Sequence, residues 1–339
     1  GKYGVYPSLL MNQIGAESEF MNPDVMIHLG TVSGFGAGNS AKPKEVWRVH
    51  PDGEVRDTYR RLTAVFEMRE VDFFRRVLSK KTAVKADTRY YREFHQACLD
   101  LEKKVPELPF SNPWMVYNTR DKLPESCELH LGILNTLRSW SLFEIDQNKN
   151  IEIYSNTGGY GIDGLVSTLL GSALANPQKL FVGIIGDLAF FYDMNALGNR
   201  HIPSNMRLMI VNNGRGTEFR NFNHPAERFG EDADAYMAAA GHYGRQSKDL
   251  VKHYSQDLGF EYLSASNKKE YLNLVNHFLG GKPQKKPMVF EVFTDSKDES
   301  EALNILYHMN VPPTAAAKEV VKNMIGEKGV ATIKKIIKK

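Results

Sequence analysis

The sequence is poor in cysteine: Cys98 and Cys127 are the two among 339 residues. That scarcity excludes a disulfide framework and a thiolate metal cluster, and it points to a reducing cytoplasm. A charge excess of one sign is also missing. Against 40 aspartates and glutamates stand 43 lysines and arginines, a formal net charge of +3, which argues against a nucleic-acid protein built on a basic face. No apolar run is long enough to cross a bilayer. The residues from Gly1 onward carry no basic-then-apolar signal pattern. Neither a membrane nor nucleic acid is therefore expected as a partner. The basic end, Lys334, Lys335, Lys338 and Lys339, reads as a solvated helix terminus.

What is present is the composition of a globular protein, 42% hydrophobic and 24% charged, at a length that allows two domains. β-Branched apolar runs at 25–29, 46–49 and 64–66 predict strands. A helix carrying Phe73, Phe74, Val77 and Leu78 follows, then a long helix over 87–104. Pro106, Pro109 and Pro113 then fall close together and mark a boundary, because proline removes donors and discourages helix. Beyond it the pattern predicts a helix near 125–142, a strand at 151–154, a glycine-rich loop, a helix at 165–175, a strand at 180–185 and a helix at 190–197. A strand at 207–211, a helix at 235–240, a strand at 261–264, a helix at 268–279, a strand at 288–293 and a helix at 299–308 complete the run. Such alternation predicts an α/β protein with doubly wound parallel sheets covered on both faces. The expected organisation is a Rossmann-like domain over 1–105, a linker over 106–124, a larger domain over 125–310 and a loosely attached tail over 311–339. The first domain holds fewer strands than a doubly wound sheet needs, so the chain is expected to be part of a longer protein.

The chemistry concentrates between Tyr154 and Phe219, in three pieces: Ser155-Asn156-Thr157-Gly158-Gly159-Tyr160-Gly161-Ile162-Asp163-Gly164, then Gly186-Asp187-Leu188, then Asn212-Asn213-Gly214. Asp187 falls where an apolar strand stops and a helix begins, the edge at which open α/β sheets bind ligands. Helix-start N–H groups there suit an anion such as a diphosphate, and Gly186 lets a bulky ligand approach the backbone. An aspartate alone would repel that anion, so a cation between them makes sense of it. Mg²⁺ takes hard oxygen ligands and usually few protein groups. The Asn213 carboxamide and the Arg215 carbonyl, at the end of the next strand, would supply more oxygen. Taken singly, Asp187 suits an N-cap and Asn212-Asn213-Gly214 suits a turn. Their joint occurrence at successive strand ends, beside a glycine-rich loop, favours a metal site.

The glycine cluster Gly30, Gly34, Gly36 and Gly38 also follows a strand, but it lacks the G-x-G-x-x-G spacing and the following helix, and reads as a turn. His224 and His242 lie downstream of the motif and are placed to reach a substrate, though each also suits a packed or exposed histidine. Arg138, Arg215 and Arg220 are the candidates for holding a substrate carboxylate, which a guanidinium binds through two parallel hydrogen bonds.

Gly-Asp followed by Asn-Asn at this spacing, 26 positions from Asp187 to Asn213, resembles the cofactor motif of the thiamine diphosphate (ThDP) enzymes typified by pyruvate decarboxylase and acetolactate synthase. The fuller match, SNTGGYGIDGLVST, GDLAFFYDMNAL and VNNGRGTEF, is most similar to the SEPHCHC synthases of menaquinone biosynthesis. The resemblance implies a partial middle domain followed by a ThDP diphosphate-binding domain. It implies ThDP and Mg²⁺ as cofactors, with Asp187 and Asn213 binding the metal by side chains and Arg215 by its carbonyl. Gly186, Leu188 and Ala189 would line the diphosphate, and Gly158, Gly161 and Asp163 would belong to the cofactor loop. Ile162 would be the apolar wedge that keeps the cofactor bent, so that its own amino group reaches the reactive carbon while the protein supplies orientation. The implied reaction is decarboxylation of a 2-oxo acid and transfer of the acyl group to an acceptor.

Family members also use a glutamate on a separate pyrimidine-binding domain, expected outside this chain, and form their sites between subunits. A homodimer or homotetramer of the full-length protein is therefore expected, with this chain inactive alone. At Thr157 the family has an arginine. Arg138, Arg220 or His224 is then the candidate, with Thr157, for contact with the substrate. Two other readings stay open: a simple 2-oxo acid decarboxylase of the phosphonopyruvate type, and a non-catalytic ThDP-binding subunit that lends its site to another chain.

Overall fold

The structure, a computed structural model, describes residues 5–13, 19–30, 41–80, 87–157, 159, 161–233, 247–280 and 285–310. It divides into two compact units. One is Pro7–Lys104 together with the segment from Leu306; the other is Val105–Ile305 together with the residues up to Tyr6. The tail expected over 311–339, the helix expected at 235–240, and the glycine cluster from Gly34 to Gly38 lie outside the described residues.

The first unit holds a parallel sheet of β1 (Val25–Leu29), β2 (Glu45–Val49) and β3 (Leu62–Phe66), in that order. With it come a single turn α1 (Ser8–Met11) and the helices α2 (Glu70–Ser79) and α3 (Arg89–Glu102). Phe73 of α2 packs on Phe66 of β3 with ring centroids 4.9 Å apart. Arg48, fully buried on β2, donates to both carboxylate oxygens of Asp52 at 2.5 and 2.9 Å. That guanidinium holds the Asp52 carboxyl well below the usual carboxylate range.

The second unit is a six-stranded, wholly parallel sheet. Its strands are β4 (Glu128–Leu131), β5 (Glu152–Tyr154), β6 (Phe181–Gly186), β7 (Met206–Asn212), β8 (Glu261–Ala265) and β9 (Met288–Phe293), in the order β5-β4-β6-β7-β9-β8. The central strands β6, β7 and β9 are buried at nearly every residue, as a sheet covered on both faces requires. One face meets α6 (Leu165–Ala175) and α7 (Asp187–Asp193) through Leu165, Leu169, Phe181, Phe190, Leu208 and Val289. Side chains alternate along a strand, so Phe290, next to Val289, faces the other way and stacks on Tyr271 of α9 (Lys268–Phe278) at 5.5 Å. Trp114 of α4 (Asn112–Thr119) packs on the same tyrosine at 5.8 Å. Helices α5 (Asn135–Trp140), α8 (Leu250–Asp257) and α10 (Ser296–Tyr307) complete the set. At Gly183 the helix α6 comes so near the sheet that an added Cβ would lie 2.5 Å from a Leu169 methyl.

Two expectations change. The helix expected near 125–142 is instead the strand β4, a loop and the short helix α5. Leu129, His130 and Leu131 are all buried, as in a strand covered on both faces, and the apolar alternation of the two leucines merges by eye with the helical spacing of Ile133 and Leu137. Residues read as linker, 106–124, carry the helix α4, whose Trp114, Met115 and Val116 are buried. Ser111 caps it by accepting from the Trp114 N–H at 3.4 Å, and Pro113 sits in its first turn, where no N–H is needed. Both cysteines are free and buried, and burial pushes the Cys127 thiol up to about 11. No described helix is long and apolar enough to cross a membrane.

Glu299 of α10 ties these elements together. Its carboxylate accepts from the Asn112 N–H at 3.0 Å, the Asn112 side-chain amide at 3.1 Å and the Thr294 hydroxyl at 2.8 Å. Glu299→Leu strips those buried donors of their acceptor and should lower unfolding free energy by about 1–3 kcal/mol. Burial raises the Glu299 carboxyl from 4.5 to about 7. A raised folded-state value stabilises below the unfolded value, and that contribution fades as pH climbs through the folded one. The deficit of the variant in urea titrations should therefore shrink as pH rises from about 4.5 to about 7 and level off above that; a deficit independent of pH across this window would contradict this.

Candidate functional site

Strands β4 and β6 are neighbours, yet the chain leaves β4 toward the edge strand β5 and leaves β6 toward β7 on the opposite side. Their carboxyl ends therefore part, and the crevice between them is the topological switch point where open α/β sheets bind ligands. A cleft lies there. Leu134, Asn135 and Thr136 follow β4, Ile162 follows β5, Gly186–Ala189 follow β6, and Asn213, Arg215 and Glu218 follow β7.

Asp187 is the most informative wall residue. It is 3% exposed. Backbone N–H groups of Leu188, Gly214 and Asp187 itself pull its pKa down. Burial outweighs them and pushes the carboxyl up to about 7, with the nearby Glu291 carboxylate adding to the rise. No cationic side chain of the described residues counters that rise. The ladder between β6 and β7 runs to Gly186 and Val211, so the turn after β7 lies beside Asp187. Gly214 has φ +75°, a left-handed turn that glycine adopts without strain. Its N–H lies 3.1 Å from the Asn212 side-chain oxygen, while the Asn213 oxygen accepts from the Arg215 N–H at 3.3 Å.

The structure thus brings Ile162, Gly186, Asp187, Leu188, Ala189, Asn213 and Arg215 around one cleft. Ile162 also packs on the hydrophobic core. Its loop is pinned by Asn156, which donates to the Gly164 carbonyl at 3.3 Å and to the Thr168 hydroxyl at 2.9 Å. Gly161 and Asp163 sit in that loop outside the cleft wall, Asp163 exposed, and a Cβ on Gly161 would collide with the Asp163 carboxylate. Gly158 and His242 lie outside the described residues.

The substrate candidates do not converge. Thr157 is half-buried and does not line the cleft. Arg138 is engaged with Glu218 through two hydrogen bonds of 2.6 and 2.8 Å, and with Asn135 at 2.8 Å. Arg220 closes the short turn Thr217–Arg220 and does not line the cleft. His224 packs edge-on against Phe219 with ring centroids 5.3 Å apart, and its Nδ1 accepts from the Ala226 N–H.

Several wall residues escaped sequence reasoning. Leu134 has φ +68° and ψ −121°, a conformation costing a non-glycine residue about 1–3 kcal/mol and typical of functional sites. Asn135, Thr136 and Glu218 join it, and so does Asn112. The alternation Leu129–Leu131 was the available signal, since recognising β4 would have placed the residues after it at the sheet edge.

The cleft suits a hard cation and a diphosphate. Among the described residues no group of three or more His, Cys, Asp or Glu side chains forms a metal cluster; the oxygen donors here are one carboxylate, one carboxamide and backbone carbonyls, the kind Mg²⁺ accepts beside phosphate oxygens. Asn112 Oδ1 and Thr217 Oγ1, of residues lining the cleft, are buried without a hydrogen-bond partner. A Cβ on Gly186 would meet no atom within 4 Å. A larger open groove, bordered by Lys248, Lys252, Lys269, Asp249, Asp295 and Asp298, lies at the ends of β8 and β9; its charges are mixed.

A wholly parallel α/β unit with a buried carboxylate and a cleft at its switch point defines the class: a domain of the open α/β kind that binds ligands at its strand ends. Comparison then gives the particular likeness. The chain is 33% identical over 270 residues to the 2-succinyl-5-enolpyruvyl-6-hydroxy-3-cyclohexene-1-carboxylate (SEPHCHC) synthase of Bacteroides fragilis, covering 78% of this chain and 45% of that protein. It is 32% identical over 269 residues to the synthase of Bacteroides thetaiotaomicron, with the same coverage. To that of Christiangramia forsetii it is 34% identical over 202 residues, 60% of this chain and 33% of the relative. No family model matches. The chain resembles the SEPHCHC synthases, and through them the ThDP enzyme superfamily. It spans about half the length of the curated relatives it matches.

Gly186 separates fold from binding. Its φ of −75° and ψ of 159° are open to any residue, and the space beside it is empty. Gly186→Ala should therefore change unfolding free energy by less than about 0.5 kcal/mol, measured by urea denaturation; a larger loss would mean that the cleft floor is packed against the fold.

Proposed function

We propose that this chain is the diphosphate- and Mg²⁺-binding portion of a ThDP-dependent carboligase that decarboxylates a 2-oxo acid and transfers the acyl group to an acceptor, in the manner of a SEPHCHC synthase. The carrying observation is the Asp187 carboxylate, buried at the switch point and lining one cleft with Asn213 and Arg215. The likeness to SEPHCHC synthases over 78% of the chain supports the choice of cofactor and reaction class.

In this reading Asp187 and Asn213 hold the cation by side-chain oxygens and Arg215 by its carbonyl. The cation neutralises both the buried aspartate and the diphosphate, which is why neither alone suits the cleft. Gly186, Leu188 and Ala189 present backbone to the diphosphate, and Ile162 offers an apolar surface at the mouth. When bound, ThDP would supply a nucleophilic carbon and an electron sink for the bonding pair left behind when CO₂ departs. The chain's own residues bind and orient it. The pyrimidine-side glutamate is supplied by a different domain, and the active assembly is an oligomer of the full-length protein.

A second reading is a simple 2-oxo acid decarboxylase. Thr157 favours it, because it stands where SEPHCHC synthases carry an arginine, and Arg138 is already engaged by Glu218. Product analysis of the full-length protein with 2-oxo acids and candidate acceptors decides: joined product supports carboligation, and free aldehyde alone removes it. Asp187→Ala should abolish Mg²⁺-dependent ThDP binding, and Gly186→Ala should weaken it by about tenfold, a contact loss of roughly 1.4 kcal/mol. Calorimetry checks both, and unchanged binding by Asp187→Ala would sink the metal assignment.

A further inference from the structure

The turn that offers Asn213 and Arg215 to the cleft is held from behind by a chain of polar side chains inside the sheet. Glu291 sits in the middle of β9, fully buried. Two donors converge on it. The Asn212 side-chain amide donates to one oxygen at 2.7 Å, and the Tyr262 hydroxyl of β8 donates to the other at 2.6 Å. With its N–H₂ engaged by Glu291, Asn212 must turn its oxygen the opposite way. That oxygen accepts from the Gly214 N–H at 3.1 Å, the same N–H that reaches Asp187. The main chain is secured too, since the Asn212 carbonyl accepts from the Thr294 N–H at 3.0 Å.

A buried carboxylate in a strand core is costly unless its donors are in place. Here its donors lead toward the cleft. A carboxamide can sit in either of two orientations of nearly equal shape, and the hydrogen-bond partners choose between them. Flipped, Asn212 would aim its N–H₂ at the Gly214 N–H, two donors face to face, and the turn would lose its pin.

We propose that Glu291 and Tyr262 are positioning residues for the cation site: Tyr262 orients Glu291, Glu291 sets the Asn212 carboxamide, and Asn212 fixes the Gly214 turn from which Asn213 and the Arg215 carbonyl reach the cation. This rests on the reading that Asp187 and Asn213 hold a divalent ion. Neither Glu291 nor Tyr262 touches the cofactor or the reacting atoms.

The test uses Mn²⁺ as the probe, titrated by water-proton relaxation in the presence of saturating ThDP, with thermal melts followed by circular dichroism. Glu291→Leu should weaken Mn²⁺ binding by about 10–100-fold, the usual effect of removing a partner behind a metal ligand. Glu291→Gln keeps an oxygen for the Asn212 amide and an N–H₂ for the Tyr262 oxygen, so it should stay within about threefold of the native chain. Tyr262→Phe keeps the ring and removes the hydroxyl. It should melt like the native chain and still weaken Mn²⁺ by about tenfold, a split that a merely structural role would not produce. If Glu291→Leu does not fold, Tyr262→Phe and Glu291→Gln decide. Native affinity in Tyr262→Phe, or equal loss in Glu291→Gln and Glu291→Leu, overturns the proposal. Asp187→Ala distinguishes the two levels. If it binds Mn²⁺ as the native chain does, the cation reading itself fails; if it loses binding while Tyr262→Phe does not, only the positioning role fails.

Discussion

The second unit is organised around a buried carboxylate. Asp187 sits at the end of the best-buried part of the sheet, and among the described residues backbone N–H groups are what lower its pKa. Leaving a charge in such a place is expensive, and proteins usually pair it or keep it protonated. Here the cost is sustained by the rigidity of what surrounds it: β6 and β7 are locked in register up to Gly186 and Val211, and the Gly214 turn leans back onto the aspartate. Three consecutive strand ends thereby deliver oxygen atoms, backbone and one apolar side chain to the same crevice, although they lie far apart along the chain.

Much of this was legible in the residues. Strands at 25–29 and 288–293 and the helix at 165–175 match their structural limits, because each is a compact block of one periodicity bounded by turn residues. The pieces carrying Asp187 and Asn213 were legible for the same reason, each closing an apolar strand that can be read locally. The wall made by Leu134, Asn135 and Thr136 was not. It depends on β4, a four-residue strand whose alternation is too short to outweigh the helical spacing around it. Glu218, Glu299 and Glu291 were invisible for another reason. Their partners lie 80, 187 and 79 residues away, at Arg138, Asn112 and Asn212, and no local pattern encodes such a pairing.

The helix α4 shows how composition can mislead. Three prolines read as a connector, yet Pro113 falls where a helix needs no donor, and Trp114 behind it packs into the aromatic cluster with Tyr271 and Phe110. What resembles a break in the chain is part of one wall of the cleft, since Asn112 at the start of that helix is also a lining residue. The chain covers a little under half of the relatives it matches, so the chemistry proposed for it belongs to the whole protein.

Gly183 carries a last lesson about distance. Leu169 of α6 lies against it, inside a packed core where a methyl cannot simply swing aside. Any side chain there would act as a wedge under α6, and the loop feeding that helix is the one that delivers Ile162 to the cleft. A lesion in the interior would then surface as a change of shape at the cleft, caused from a position that does not line it.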